Sequence, residues 1–139
     1  MRRMLSSCPA ERTLKLLEGR WKIFILHHLF QEQLRYGELR RAVQETAGPV
    51  SQKMLTQELR ALEQDQLVVR IVMPGKTPQV LYKLTDSGRR LRPVLESMID
   101  WGYEYELAIG GKVRQPSCSL GTRIFVPPSD SEDRRLGAV

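Results

Sequence analysis

The segment Ser51–Gln64, SQKMLTQELRALEQ, has two faces of opposite character, and this contrast constrains the fold more than any other feature of the chain. At 100° per residue, a helix over this segment carries Leu55, Leu59 and Leu62 in one apolar stripe. Ser51 is a favourable N-cap, and the sequence TAGPV before it interrupts any preceding helix. The pattern therefore predicts an amphipathic helix that packs by its leucines.

The opposite side of this helix is rich in side chains that bind bases and phosphates. The residues that point away from the leucines are Lys53, Gln57, Arg60 and Gln64, flanked by Gln52 and Thr56. Glutamine can make two hydrogen bonds to adenine, lysine can reach guanine, and threonine can contact the methyl group of thymine. Arg60 is placed to meet a phosphate. A solvated helix face is the alternative interpretation of the same residues.

Two apolar runs with many β-branched residues follow the helix directly, LVVRIVM and QVLYKL, with the turn sequence PGKTP between them. Runs of this length and composition on either side of a Pro- and Gly-containing turn predict a two-stranded β-hairpin. Lys76 lies in the turn, so the tip of the hairpin is basic.

Further helices are predicted on both sides of these elements. The preceding ones are Glu11–Glu18, Trp21–Phe30 and Tyr36–Glu45. The segment Trp21–Phe30 is apolar on nearly every side, which predicts the central buried helix. Leu39 and Val43 lie on the inward side of the third helix. A long helix is predicted from Thr85, its N-cap, with a bend at Pro93.

The third and fourth helices, with a hairpin directly after them, have the element order of a winged helix. The sequence thus predicts an α+β winged helix-turn-helix, mainly α with a two-stranded β-hairpin wing. In such a domain the helix from Ser51 lies in the major groove of DNA, and the hairpin tip lies along the backbone or an adjacent minor groove. The wing then needs a cation, which Lys76 supplies.

The charge balance agrees with a polyanionic partner. The 139 residues include 22 Lys and Arg against 16 Asp and Glu, and such a basic surface attracts DNA, RNA or acidic membranes.

No apolar run approaches the roughly 20 residues of a membrane span, so a cytoplasmic location is expected. Neither a Gly-rich phosphate loop nor a nucleophile motif indicates an enzyme, and no cofactor is expected. The adjacent His27 and His28 point about 100° apart, so no metal site is predicted.

Between Cys8 and about Gly102 the chain resembles the HxlR-type winged-helix regulators of bacteria. Four segments carry the resemblance: CPAERTLKLLEGRWKIFILHHL, RYGELRRA, SQKMLTQELRALEQDQLVVR and YKLTDSGRRLRPVLESMIDWG. The resemblance implies a DNA-binding homodimer, paired through the N-terminal helix and the long C-terminal helix, that recognises a site with two-fold symmetry. The DNA contacts it carries over are Ser51, Gln52, Lys53, Thr56, Gln57 and, in the wing, Lys76.

Several members of this family sense electrophiles or oxidants through a cysteine near the N-terminus, and Cys8 occupies the matching position. The start of the first helix would lower the pKa of this thiol. Two interpretations stay open for Cys8: a sensor thiol, or a small residue packed in the dimer helix. The second cysteine, Cys118, is a weaker candidate for a resolving partner.

The chain departs from the family pattern at both ends of the helix Ser51–Gln64. The turn before it, VQETAGPVS, is several residues longer, so an altered placement of the helix is expected. After it, Asp65-Gln66 replaces the usual Asp-Gly, so the glycine that would take a left-handed backbone conformation is missing, and the turn is expected to survive with some strain.

Composition divides the chain into two parts. Residues 1–109 form the predicted DNA-binding and dimerisation domain, whereas residues 110–139 hold few large apolar residues and are predicted to be disordered. A transcriptional regulator on a symmetric operator is the leading hypothesis. The alternative is a winged-helix module that binds an acidic protein partner without sequence-specific DNA binding.

Overall fold

A computed structural model describes residues 7–111. The elements in chain order are α1 Pro9–Leu16, α2 Lys22–Gln31, β1 Leu34–Arg35, α3 Tyr36–Ala47, α4 Gln52–Gln64, β2 Val68–Met73, β3 Gln79–Leu84, α5 Asp86–Arg89 and α6 Arg92–Ala108. The predicted α+β winged helix-turn-helix is confirmed, with α3 and α4 as its two helices and the β2–β3 hairpin as its wing.

The core lies around α2, which packs against both α3 and α4. The leucine stripe of α4 is completely buried, as are Ile25 and Leu26 of α2 and Leu39 and Val43 of α3. Helix α2 is the central buried helix that its apolar sequence predicts. The burial of these side chains sets which face of α4 remains for solvent, because the leucines recur at helical spacing.

The sheet contains a strand that the sequence does not predict. Its order is β1-β3-β2, all antiparallel, so β1 adds a third strand to the two of the predicted hairpin. In β1, Leu34 pairs with Tyr82 and Arg35 pairs with Leu81. This two-residue strand has no local periodicity, and only its pairing with β3, more than 40 residues away, defines it.

The long helix predicted from Thr85 is in fact two helices. Thr85 is an N-cap, as predicted, because its Oγ1 accepts a hydrogen bond from the backbone N–H of Gly88 at 3.0 Å. The helix it caps ends at Arg89, and Pro93 belongs to the first turn of α6, where its missing N–H costs nothing. The predicted bend within one helix was therefore wrong, and the chain breaks before the proline.

Gly88 explains why α5 sits so close to the wing. A Cβ atom at this position would collide with the backbone carbonyl oxygen of Leu67. The same carbonyl accepts a hydrogen bond from the backbone N–H of Thr85 at 3.0 Å. Only glycine allows this approach, so α5 anchors the base of the hairpin at the point where α4 has just ended.

Candidate nucleic-acid interface

The first turn of α4 is held in place by its own N-cap. The Oγ of Ser51 accepts a hydrogen bond from the backbone N–H of Met54 at 3.1 Å, as the sequence predicts for this residue. Ser51 is exposed at the same time, so its hydroxyl and the free amides of this turn face solvent.

The polar face of α4 is open to solvent. The exposed residues are Gln52, Lys53, Gln57, Arg60 and Gln64, with Thr56 half-buried at their edge. These side chains and Ala61 line one shallow depression on the surface. Within residues 7–111 neither Lys53 nor Arg60 forms an ion pair, so both cations are available to a ligand. Every residue that the sequence assigned to this helix face is thus brought together.

Two residues outside α4 hold its N-terminal end, and the sequence did not identify them. The hydroxyl of Tyr36 donates to the backbone carbonyl of Gln52 at 3.2 Å and lies 3.4 Å from Oγ1 of Thr56. Arg40 donates through Nε and Nη2 to the carbonyl of Val50, at 3.3 and 3.2 Å. These contacts span 10 to 20 residues of sequence, so no local pattern signals them.

The long turn before α4 is mostly helical. Helix α3 continues through Ala47, and only residues 48–51 connect it to α4. Gly48 has φ of +97° and ends the helix, and the guanidinium of Arg20 donates to the carbonyl of Ala47. The extra residues therefore lengthen α3 and leave a short, braced connection.

The C-terminal end of α4 closes as a Schellman motif around Gln66. The backbone N–H of Leu67 bonds to the carbonyl of Leu62, and that of Gln66 bonds to the carbonyl of Glu63, both at 3.0 Å. Gln66 has φ of +59° and is the one non-glycine residue with positive φ within residues 7–111. The turn therefore survives without the glycine, as expected, with Gln66 itself in the left-handed conformation. The carbonyl of Gln66 accepts a hydrogen bond from Oγ1 of Thr85 at 2.7 Å.

The cation of the wing lies at the tip of the hairpin. Lys76 is exposed in the turn between the paired residues Met73 and Gln79. Six residues of β2 separate this turn from the base of the hairpin, a distance of about 20 Å at the usual rise of a strand. Lys76 is therefore about one strand length from the base of the hairpin, which follows the end of α4.

Cys8 lies directly before α1 and is exposed in the single chain. The backbone amides of Glu11 and Ala10, at the free start of α1, lower the pKa of the Cys8 thiol below its usual value. This is the effect of the helix start that the sequence predicts. Cys118 lies outside the described residues.

The two histidines of α2 take part in the packing of the domain. His28 bonds through Nε2 to Oγ1 of Thr46 at 3.0 Å. His27 is buried, and its burial together with the neighbouring His28 lowers its pKa to about 4. No group of three or more His, Cys, Asp or Glu side chains within residues 7–111 is placed to hold a metal ion.

Helix α4 exposes amide and cationic side chains, follows α3 and is followed by a hairpin with a basic tip. This arrangement is that of a winged helix-turn-helix protein. The sequence profile of the family described as HxlR-like helix-turn-helix matches residues 16–109, and the chain belongs to this family. The predicted class, a transcriptional regulator of the HxlR type, is confirmed.

Curated and solved relatives agree with this assignment. The chain is 40% identical over 99 residues to the HTH-type transcriptional regulator YdeP of Bacillus subtilis, a match that covers 71% of this chain and 74% of the relative. It is similar to the structure titled redox regulator HypR in its reduced form, with TM-score 0.64 and 36% identity over 73% of this chain and 96% of that one. The reduced form of the regulator YodB from B. subtilis has TM-score 0.61 and 33% identity, covering 77% and 100% of the two chains.

No helix among residues 7–111 is both long and apolar enough to cross a membrane.

Proposed function

We propose that the chain binds duplex DNA as a homodimer, with two copies of α4 in successive major grooves of a site with two-fold symmetry. The observation that carries this proposal is the polar face of α4. Its amides and its two unpaired cations stand exposed on a helix whose other side is fully buried and whose two ends are fixed. An element this rigid can hold side chains at the precision that base recognition requires.

Each side chain of this face has a role that suits its chemistry. Gln52 and Gln57 offer the paired donor and acceptor that adenine requires, and Lys53 offers donors to guanine. Arg60, two turns further along α4, meets a phosphate, as does Ser51 at the start of the helix. Lys76, at the tip of the hairpin, meets the DNA backbone or the adjacent minor groove.

The dimer in this proposal forms through α1 and α6. Helix α6 exposes large apolar side chains, namely Val94, Met98, Trp101 and Tyr105. Trp101 is 66% exposed and stacks on Tyr105 with ring centroids 5.0 Å apart. Val94, Met98 and Trp101 line one groove, and apolar side chains of this size favour a covered surface; a second copy of the same helix supplies the cover.

We also propose that Cys8 makes DNA binding responsive to oxidants or electrophiles. Its exposure and its lowered pKa favour the reactive thiolate. Two of the similar solved structures are titled as the reduced and oxidised forms of the redox regulator HypR, at 36% and 38% identity. If Cys8 lies in the dimer interface through α1, its oxidation changes the spacing of the two α4 helices.

The remaining parts of the proposal follow from these. Residues 1–109 form the DNA-binding and dimerisation unit, and the prediction for residues 110–139 falls almost wholly outside the described residues. The protein acts on DNA in the cytoplasm, through binding and not through catalysis.

The proposal is tested by selecting bound duplexes from a random pool and measuring affinity for the selected site. Lys53→Ala and Gln57→Ala should each weaken specific binding by roughly 10- to 100-fold without a change in folding. Lys83→Ala is the matched control, because it removes one exposed cation near the base of the hairpin. Normal binding by both α4 variants would contradict the role of α4. Equal, salt-sensitive binding to every duplex would favour the protein-association alternative.

A further inference from the structure

Tyr36 connects the frame of the domain to the DNA-facing side of α4. Its hydroxyl lies 3.2 Å from the backbone carbonyl oxygen of Gln52 and 3.4 Å from Oγ1 of Thr56. The ring of Tyr36 is half-buried, and its centroid lies 6.5 Å from that of the buried Tyr82 in β3. The sheet therefore fixes the phenolic oxygen relative to the first two turns of α4.

The two contacts of Tyr36 together determine which hydroxyl group donates in each of them. A carbonyl oxygen can only accept, so Tyr36 donates its single hydroxyl proton to Gln52. The phenolic oxygen is then the acceptor in its contact with Thr56, and the Thr56 hydroxyl is the donor. Because Thr56 has no second hydroxyl proton, it presents only oxygen lone pairs and a methyl group to a ligand.

We propose, on the basis of the DNA-binding function above, that Tyr36 determines the base preference of Thr56. The major-groove edge of guanine carries only acceptors, N7 and O6, whereas adenine and cytosine carry an amino group and thymine carries a methyl group. A Thr56 hydroxyl whose proton is bonded to Tyr36 can accept from an amino group or lie beside a methyl group. It cannot donate to guanine, so Tyr36 excludes guanine at this position by acting through Thr56.

The variant Tyr36→Phe tests this, because it removes the phenolic oxygen and leaves the ring. The freed Thr56 proton can then bond to guanine. In sites selected from a random duplex pool, guanine should appear at one position of each half-site, with relative affinity raised roughly 3- to 10-fold, the effect of one neutral hydrogen bond. All other positions should be unchanged. Tyr82→Phe is the matched control, since it removes the hydroxyl of the neighbouring ring, whose side-chain hydrogen bond is with Arg70.

Thr56→Val separates this mechanism from a structural effect of Tyr36. Valine keeps the shape and lacks the hydroxyl, so Thr56→Val alone should not weaken binding to the guanine-substituted site. In the Thr56→Val background, Tyr36→Phe should leave the base preference as it is.

The inference would be overturned by a folded Tyr36→Phe variant that selects the same sites as the parent, or by one that changes the selected sites equally when Thr56 is valine. A loss of guanine affinity in Thr56→Val would overturn it as well, by showing that the hydroxyl donates to the base. A parent that selects no sequence contradicts the DNA-binding proposal itself, which keeps the two failures distinguishable.

Discussion

The ammonium nitrogen of Lys22, in α2, lies 3.8 Å from the carboxylate oxygen Oε2 of Glu58, in α4. The two side chains are 7% and 19% exposed, so water screens neither charge well. The distance is that of an ion pair and too long for a hydrogen bond, and Oε2 of Glu58 has no hydrogen-bond partner within residues 7–111. Each charge therefore depends on the other to offset its own burial.

Removal of one partner should destabilise the domain. Glu58→Gln is expected to lower the free energy of unfolding by about 2–3 kcal/mol, measured by urea denaturation at fixed protein concentration, because Lys22 is left as an uncompensated buried charge. Glu18→Gln is the control: the pair of Glu18 with Lys15, at 2.9 Å, is mostly exposed and should contribute less than about 1 kcal/mol. Equal losses in the two variants would show that Lys22 and Glu58 are effectively solvated.

The left-handed backbone of Gln66 predicts a stabilising substitution. Gln66→Gly should raise the free energy of unfolding by about 0.5–1 kcal/mol, because glycine adopts a φ of +59° without the clash of a Cβ atom. Gln64→Gly, two residues earlier and inside α4, should instead lower it by about 1 kcal/mol. Because both variants replace glutamine with glycine, changes of opposite sign would show that the gain at position 66 comes from its left-handed backbone. If both variants are destabilised, Gln66 is not strained in this conformation.

The wing cation should contribute to affinity without contributing to sequence preference. Lys76→Ala is expected to weaken binding to specific and unrelated duplexes by a similar factor and to reduce the slope of log affinity against log salt by about 1. Titrations of both duplexes between low and moderate salt measure this. A loss confined to the specific duplex would mean that Lys76 contacts a base in the minor groove.

How far the sequence predicts the structure depends on how local the determinant is. The faces of α4 follow from leucines three and four residues apart, and the caps Ser51 and Thr85 act within three residues, so both were predicted. The strand β1 and the contact of Tyr36 with Thr56 form only when distant segments meet, and neither leaves a periodic signal.

The two helices after the wing illustrate the same limit. Thr85 and Pro93 mark helix starts in the sequence, yet the chain could have bent at the proline or broken before it. The close packing of Gly88 on the carbonyl of Leu67 fixes α5 against the hairpin, and this packing is visible only in three dimensions.

His27 predicts a loss of stability in mild acid. Its pKa is lowered from 6.5 to about 4 in the folded chain by burial and by the neighbouring His28, so below pH 6.5 the unfolded chain takes up a proton that the folded chain does not. This contribution is complete above pH 6.5 and is lost as the pH falls toward 4. His27→Leu should therefore lose less stability than the parent between pH 7 and pH 5, by about 1.5–2 kcal/mol in urea denaturation. If His27→Leu loses as much stability as the parent between pH 7 and pH 5, other groups cause the acid sensitivity.

The response to oxidants should depend on Cys8. In this proposal the thiolate of Cys8, favoured by the amides that open α1, reacts with diamide and forms a disulfide with a second thiol. Cys8→Ser should bind the selected duplex with the affinity of the parent. It should stay bound to the duplex in the presence of diamide, whereas the parent releases the duplex.

Cys118→Ser identifies the second thiol of the disulfide. If diamide still releases the duplex from this variant, the bond joins the two Cys8 residues of a dimer; if it does not, Cys118 is the partner. Addition of a thiol reductant should restore binding by the parent in either case, because a disulfide is reversible. Release of the duplex by diamide in Cys8→Ser, to the same extent as in the parent, would exclude Cys8 as the sensor.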